Sequence, residues 1–205
     1  MPKKVIPVRN HNHVHGLKYK ICVSGAAETG HCEADTLVKA EAIGREIAKR
    51  GLVLVTGATT GTPYWAAKGA KAEGGIVIGI SPAASKAQHI KTYRLPTDYH
   101  DLIIYTGFEY SGRNLLLIRS SDAIITICGR MGTLNEFTIA FEDQKPTGIL
   151  EGTGGVADMV RGLVEQAHRG PGKIVFSNDP SDLMDKLVDL IESEEEKNGI
   201  KGRVL

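Results

Sequence analysis

The feature that most constrains this chain is the stretch Asp122-Ala-Ile-Ile-Thr-Ile-Cys128-Gly129-Arg130-Met131-Gly132-Thr133-Leu134-Asn135-Glu136-Phe137. It opens on a near-continuous apolar run, the pattern of a strand buried on both faces. A glycine-bearing turn follows, and then Leu134, Phe137, Ile139, Ala140 and Phe141 set out a helical pattern. A strand that passes through a glycine turn into a helix aims free backbone N–H groups at an anion. The helix dipole adds roughly half a positive charge at that end. The stretch therefore predicts a phosphate at this turn, with Glu136 one turn into the helix and facing it.

The same alternation runs along the whole chain. Strands are expected at 18–24, 52–55, 75–80, 102–105, 122–128, 146–150 and 173–177. Between them lie helical patterns from Leu37 to Ala48, from Pro63 through Ala72, from Ser111 to Ile118, from Leu134, over 157–168 and over 179–193. The 24 glycines fall mostly at the ends of the apolar runs, as tight strand–helix turns require. This is an α/β pattern, a doubly wound, mainly parallel sheet of about seven strands with helices on both faces. One domain over 18–193 is expected, with a flexible N-terminal segment (1–17) and a charged, frayed tail (194–205). Residues 81–100 have no clear period and read as a long surface loop of the kind that is often functional.

In such sheets ligands bind at the carboxyl ends of the strands, where the strand order reverses. Five segments should then share one rim: Ser24-Gly25, Thr56 to Gly61, Gly107 to Asn114, Gly129 to Glu136, and Gly152 to Gly155. Ser24, Gly25, Gly57, Thr60 and Gly61 are small or hydroxylated, which suits ribose or phosphate contacts. Thr133 and Glu136 admit two readings. As Thr-x-x-Glu they form a capping box, with Glu136 bonded back to the cap. Facing the crevice, Glu136 instead engages ribose hydroxyls or stabilises a cationic sugar transition state. Arg113 is placed in the first turn of its helix, where a cation opposes the dipole at about 0.3–1 kcal/mol; an anion nearby, a ligand phosphate or Glu136, would offset that. Arg119, at the other end of the same helix, is favourably placed. Asn114 either orients a ligand or serves the helix start. Arg130 either grips phosphate oxygens or crowds a turn where glycine would admit the ligand.

Net charge is +1, which predicts neither a nucleic-acid nor a membrane surface. No signal peptide and no membrane-spanning run is read, and a cytoplasmic location is expected. Cys22, Cys32 and Cys128 have neither a disulfide framework nor zinc spacing. Cys22 and Cys128 fall in apolar strand patterns and read as buried, inert thiols in a reducing compartment. His11, His13 and His15 would share one side of an extended segment, but a solvated terminus is the reading adopted. No metal or cofactor is expected.

The motif from Cys128 to Glu136 resembles the Pro-Gly-Gly-x-Gly-Thr-x-x-Glu motif of the LOG ("lonely guy") family, Rossmann-like proteins often labelled lysine decarboxylases. Over roughly residues 18–192 the chain is similar to a branch of that superfamily related to DNA-processing-protein-A and molybdenum-cofactor-carrier proteins. The counterparts of its recurring motifs are Gly112-Arg113-Asn114, Ser120-Ser121-Asp122 and Gly152-Thr153-Gly154-Gly155. The resemblance implies a Rossmann-like fold, Arg113 and Glu136 in the places of the family's catalytic pair, Gly129, Gly132 and Thr133 in those of its phosphate-binding turn, and a homodimer or higher homo-oligomer. Cys128 stands where the motif has proline, an exchange expected to alter only turn rigidity. Arg130 replaces the second glycine, and Asn114 stands where LOG enzymes have lysine.

Two functions follow as expectations. One is hydrolysis of the N-glycosidic bond of a nucleoside 5′-monophosphate, giving free base and ribose 5-phosphate. The alternative is a non-catalytic protein that binds or carries a nucleotide or a phosphorylated cofactor such as the molybdenum cofactor. Lysine decarboxylation is disfavoured, because no lysine lies in the rim segments to hold pyridoxal phosphate.

Overall fold

The structure is a computed structural model that describes residues 18–199. Seven strands, β1 (Lys20–Gly25), β2 (Val53–Thr56), β3 (Ile76–Ser81), β4 (Leu102–Tyr105), β5 (Ala123–Ile127), β6 (Thr147–Leu150) and β7 (Ile174–Ser177), form one sheet in the order β4-β3-β2-β1-β5-β6-β7. Every neighbouring pair is parallel. The chain winds outward from β1 to β4, then returns to lay β5 against the other side of β1. The switch in winding direction thus lies between β1 and β5, whose register aligns Ser24 with Thr126 and Gly25 with Ile127.

The helices are α1 (Thr36–Lys49), α2 (Thr62–Ala72), α3 (Lys86–Lys91), α4 (Glu109–Arg119), α5 (Met131–Glu142), α6 (Gly155–Ala167) and α7 (Pro180–Lys197). Alternate strand residues sort between two faces. Ile21 and Val23 of β1 and Ala123, Ile125 and Ile127 of β5 join Ile43, Ile47, Ala66, Leu183 and Leu187 in a core under α1, α2 and α7. Cys22 and Ile124 point the other way, to Leu117, Ile118 and Ala140 under α4 and α5. Phe137, Ile149, Val156 and Val160 make a third cluster around α6. Helices α1 and α2 meet backbone to backbone: a Cβ on Gly44 would lie 1.8 Å from the Ala66 carbonyl oxygen, and one on Gly69 would lie 2.0 Å from that of Glu41. No helix among the described residues is long and apolar enough to cross a membrane.

The expected alternation is found, with four local differences. Residues 81–100 are not wholly irregular; they contain α3, whose start Ser85 caps by accepting the Gln88 N–H. His89 anchors this segment from inside, with Nδ1 2.8 Å from Ser81 Oγ and Nε2 3.0 Å from the Pro96 carbonyl. Helix α4 begins at Glu109, so Arg113 is its fifth residue rather than part of the first turn, and the first turn carries an acid, Glu109. The dipole penalty assigned to Arg113 is correspondingly reduced. Helix α7 continues through Lys197 where a frayed tail was expected from Glu194. Lys173 pairs with Glu194 and the Tyr19 hydroxyl donates to Glu195, which explains the extra turn. The fourth difference is the start of α5, at the site itself. The His11/His13/His15 run lies outside the described residues.

Candidate functional site

Helix α5 begins at Met131, with Arg130 in the N-cap position and extended (φ −129°, ψ −155°). Thr133 is therefore the third helical residue and not the cap, and no side chain among the described residues caps this helix. The capping-box reading fails on this point. The first-turn N–H groups of a helix have no intrahelical acceptor. Here they border a cavity of about 230 Å³ at the carboxyl ends of β1, β2 and β5, beside the β1/β5 switch.

Glu136, released from a capping role, turns inward and is 6% exposed. The Ser24 hydroxyl, at the end of β1, donates to Oε2. Arg113, 5% exposed, sets Nη1 3.7 Å from Oε1, a charge contact too long for a hydrogen bond. With its amide nitrogen turned toward them, Asn114 donates to Oε1 and to the Tyr110 carbonyl, at 2.9 Å each. Burial pushes the Glu136 carboxyl above the usual range, against the opposing pull of Arg113 and then of the Ser24 hydroxyl. Arg113 reaches this position because residue 57 is glycine. A Cβ there would fall 1.8 Å from Nη1. The Arg113 Nε is buried without a hydrogen-bond partner among the described residues. A buried guanidinium with a spare donor beside a cavity suits an anionic or strongly accepting ligand group.

Nine of the residues singled out in the sequence line this cavity: Ser24, Gly25, Gly57, Arg113, Asn114, Arg130, Gly132, Thr133 and Glu136. Three do not. The Thr60 hydroxyl donates to the Ala27 carbonyl at 3.0 Å. Gly61 sits against the same loop, where a Cβ would be 2.0 Å from the Ala26 carbonyl. Both serve to join the β1–α1 and β2–α2 loops. Gly129 (φ +100°) stands behind the anion turn, its carbonyl accepting from the Val156 N–H at 3.0 Å. The segment Gly152 to Gly155 is likewise behind the turn rather than on the rim. Its Thr153 hydroxyl accepts from the Cys128 N–H at 2.9 Å and donates to the Leu150 carbonyl at 2.7 Å. Arg130 does not fill the turn. Its side chain is 55% exposed and pairs with Glu28 at 2.7 Å across the cavity mouth.

The cavity also uses Thr59 and Tyr110, which lie in nominated rim segments but were not singled out, and Ala26, Ala27 and Pro63, which lie outside those segments. Tyr110 lies one helical turn before Arg113, with its ring centroid 5.9 Å from the guanidinium carbon; that three-residue spacing on a helix was the available signal. Cys128 corrects two expectations. It is not an inert thiol but is disulfide-bonded to Cys32, tying the β1–α1 loop to the anion turn. Its φ is +53°, a value closed to proline, so the exchange from the LOG motif changes the path of the turn and not only its rigidity. Cys22 is the buried free thiol expected, pushed well above its ordinary pKa by burial first and by nearby Glu136 second.

Comparison with known proteins bears on this site. The chain is similar to the molybdenum cofactor binding protein of Rippkaea orientalis, at 28% identity and a TM-score of 0.66 over 87% of this chain and 98% of that one. It is also similar to the molybdenum cofactor carrier protein of Chlamydomonas reinhardtii, at 27% identity and a TM-score of 0.68 over 85% and 99% of the two chains. The DNA processing protein A of Helicobacter pylori, described as binding single-stranded DNA, shares the fold alone at 17% identity and a TM-score of 0.59, over 83% and 80%. Residues 18–184 match the SLOG cluster4 family, and the chain belongs to it.

Proposed function

We propose that this protein binds a phosphorylated small molecule, a nucleotide or a phosphorylated cofactor, and holds it without turning it over. The observation that carries the reading is the state of Glu136. The one carboxylate among the described residues lining the cavity accepts from Ser24, faces Arg113, and is pushed toward its neutral form by burial. A group so engaged is poorly suited to support a cationic sugar, which requires an available negative charge. The phosphate docks on the N–H groups of the first turn of α5, with the Arg113 guanidinium beside it. At about 230 Å³ the cavity is smaller than the roughly 300–1,000 Å³ of a typical ligand site. It therefore encloses the phosphate end, and the rest of the ligand extends past Arg130 and Glu28. The resemblance to two molybdenum-cofactor proteins supports the same reading.

A second reading, hydrolysis of a nucleoside 5′-monophosphate, draws support from one fact: Glu136 faces the cavity instead of capping its helix. One experiment separates the two. The protein is incubated with AMP, and in parallel with a pterin phosphate. Melting temperature and free base are followed together. A rise in melting temperature with the ligand recovered intact supports binding; release of adenine above background supports hydrolysis. If no ligand shifts the melting temperature and no base is released, both readings fall. Self-association is proposed as well, through the exposed apolar side chains of Phe108 just before α4, Leu115 and Leu116 of α4, and Leu102 and Ile104 of the edge strand β4.

A further inference from the structure

Beside the anion turn, and outside the cavity lining, lies a cluster with chemistry of its own. His31, Cys32 and Cys128 bring one imidazole nitrogen and two sulfurs within 4.8 Å of one another. His31 Nε2 is 3.5 Å from Cys128 Sγ and 3.4 Å from the Gly129 carbonyl oxygen. The two cysteines are joined as a disulfide, with Cα atoms 5.8 Å apart. Their loops are held together independently of that bond. Cys32 bridges to Gly154, the Glu33 N–H donates to the Thr153 carbonyl at 3.2 Å, and the Thr36 hydroxyl donates to the same carbonyl at 3.1 Å. Opening the disulfide therefore leaves the three side chains facing one another.

We propose that, with this disulfide reduced, His31 Nε2, Cys32 Sγ and Cys128 Sγ bind a single thiophilic divalent cation such as Zn2+. Tetrahedral zinc with bonds of about 2.0–2.1 Å to nitrogen and 2.3 Å to sulfur places those two atoms about 3.5 Å apart. That is the separation already present between His31 Nε2 and Cys128 Sγ. It places two such sulfurs about 3.8 Å apart, within reach of side-chain rotation at this Cα spacing. Two thiolates and an imidazole select soft or borderline metals over magnesium or calcium. Three protein donors leave the fourth position to water.

The chemistry balances in two steps. A phosphine reductant and one water convert the disulfide into two thiols and a phosphine oxide. The two thiols then lose two protons as the cation binds. The oxidised cluster has no thiolate to offer, so the site exists in one redox state only. Either state, covalent or metal-bound, fixes the β1–α1 loop to the turn that presents the anion-binding N–H groups.

The test uses the full chain, reduced with a phosphine, freed of it without oxygen, and titrated with Zn2+ against a chromophoric chelator. Reduced protein is expected to take up one Zn2+ per chain, and oxidised protein none from the chelator. His11, His13 and His15 are present equally in both forms, so the difference reports the cluster alone. Cys32→Ser is expected to abolish the uptake and Cys22→Ser to leave it intact. His31→Ala alters an exposed residue and is expected to weaken affinity about tenfold or more. Cobalt in place of zinc should give the intense near-ultraviolet thiolate-to-metal band in the reduced protein alone. Equal uptake in both redox states, no uptake in either, or uptake unchanged in both His31→Ala and Cys32→Ser overturns the proposal.

Discussion

Two arginine–glutamate pairs border the same cavity, and they invert the ranking that distance alone would give. Arg130 and Glu28 lie 2.7 Å apart at the mouth, with side chains 55% and 79% exposed. Arg113 and Glu136 lie 3.7 Å apart on the cavity wall, with side chains 6% and 8% exposed. The closer pair is solvated, screened by salt, and contributes about 0–1 kcal/mol. The looser pair sits where each charge has given up its water, so losing one partner leaves the other stranded. Burial, not separation, decides which pair the site depends on. The mouth pair is free to open for a ligand; the inner pair is built in.

The largest effect should come from Arg113→Met. It strands a buried carboxylate and is expected to cost about 3–5 kcal/mol in chemical denaturation at neutral pH, with a smaller loss in acid, where the Glu136 carboxyl takes up a proton. A cost below about 1 kcal/mol would put the two pairs on a par and break the comparison. Next comes Ser24→Ala, which removes a hydrogen bond to a charged acceptor and should cost about 1.5–3 kcal/mol by the same measurement. Glu136→Gln sharpens the comparison through pH. The folded-state pKa of Glu136 is raised from an ordinary value of 4.5, so the stability this group contributes is complete below that value. It is lost as pH rises from there through the raised folded pKa, with a slope of at most about 1.4 kcal/mol per pH unit. Urea midpoints between pH 4 and 8 should show this decline in the wild type, and the Gln variant should lack it. The smallest effect on stability is expected for Arg130→Ala, within about 0.5 kcal/mol. The same variant should weaken binding of a phosphorylated ligand, and titrations at rising salt should erase the difference from wild type.

What the sequence disclosed and what it hid follow from how local each determinant is. The strands were legible because apolar runs end in glycine turns, and β5 through α5 is the clearest case. The start of α5 was not, because Thr133 and Glu136 have the spacing of a cap pattern while the helix begins two residues earlier, uncapped. The start of α4 was hidden because Phe108 and Glu109 carry no capping signal and Glu109 takes a positive φ. Helix α3 spans six residues, too few for a period to emerge. Nine of the twelve nominated site residues meet at the cavity because they end strands or lie in the turns and helices that follow them, a property that can be read locally. The Cys32–Cys128 bond joins residues 96 apart in the chain, in the segments that follow β1 and β5, which meet only through a strand order that no short spacing encodes.

The turn after β5 does not aim its own donors. The carbonyls of Cys128 and Gly129 accept from the N–H groups of Ala157 and Val156, in the first turn of α6. A trans peptide unit points its N–H opposite to its carbonyl, so gripping those two oxygens directs the Gly129 and Arg130 N–H groups away from α6. It also polarises them, as hydrogen bonds in series do. Two helix starts are thus coupled end to end through a pair of amide planes. Under the proposed function, affinity for a phosphate is therefore partly written in a helix that lines none of the cavity, and Gly155, where a Cβ would strike the Gly129 oxygen at 2.4 Å, is the position from which it could be retuned.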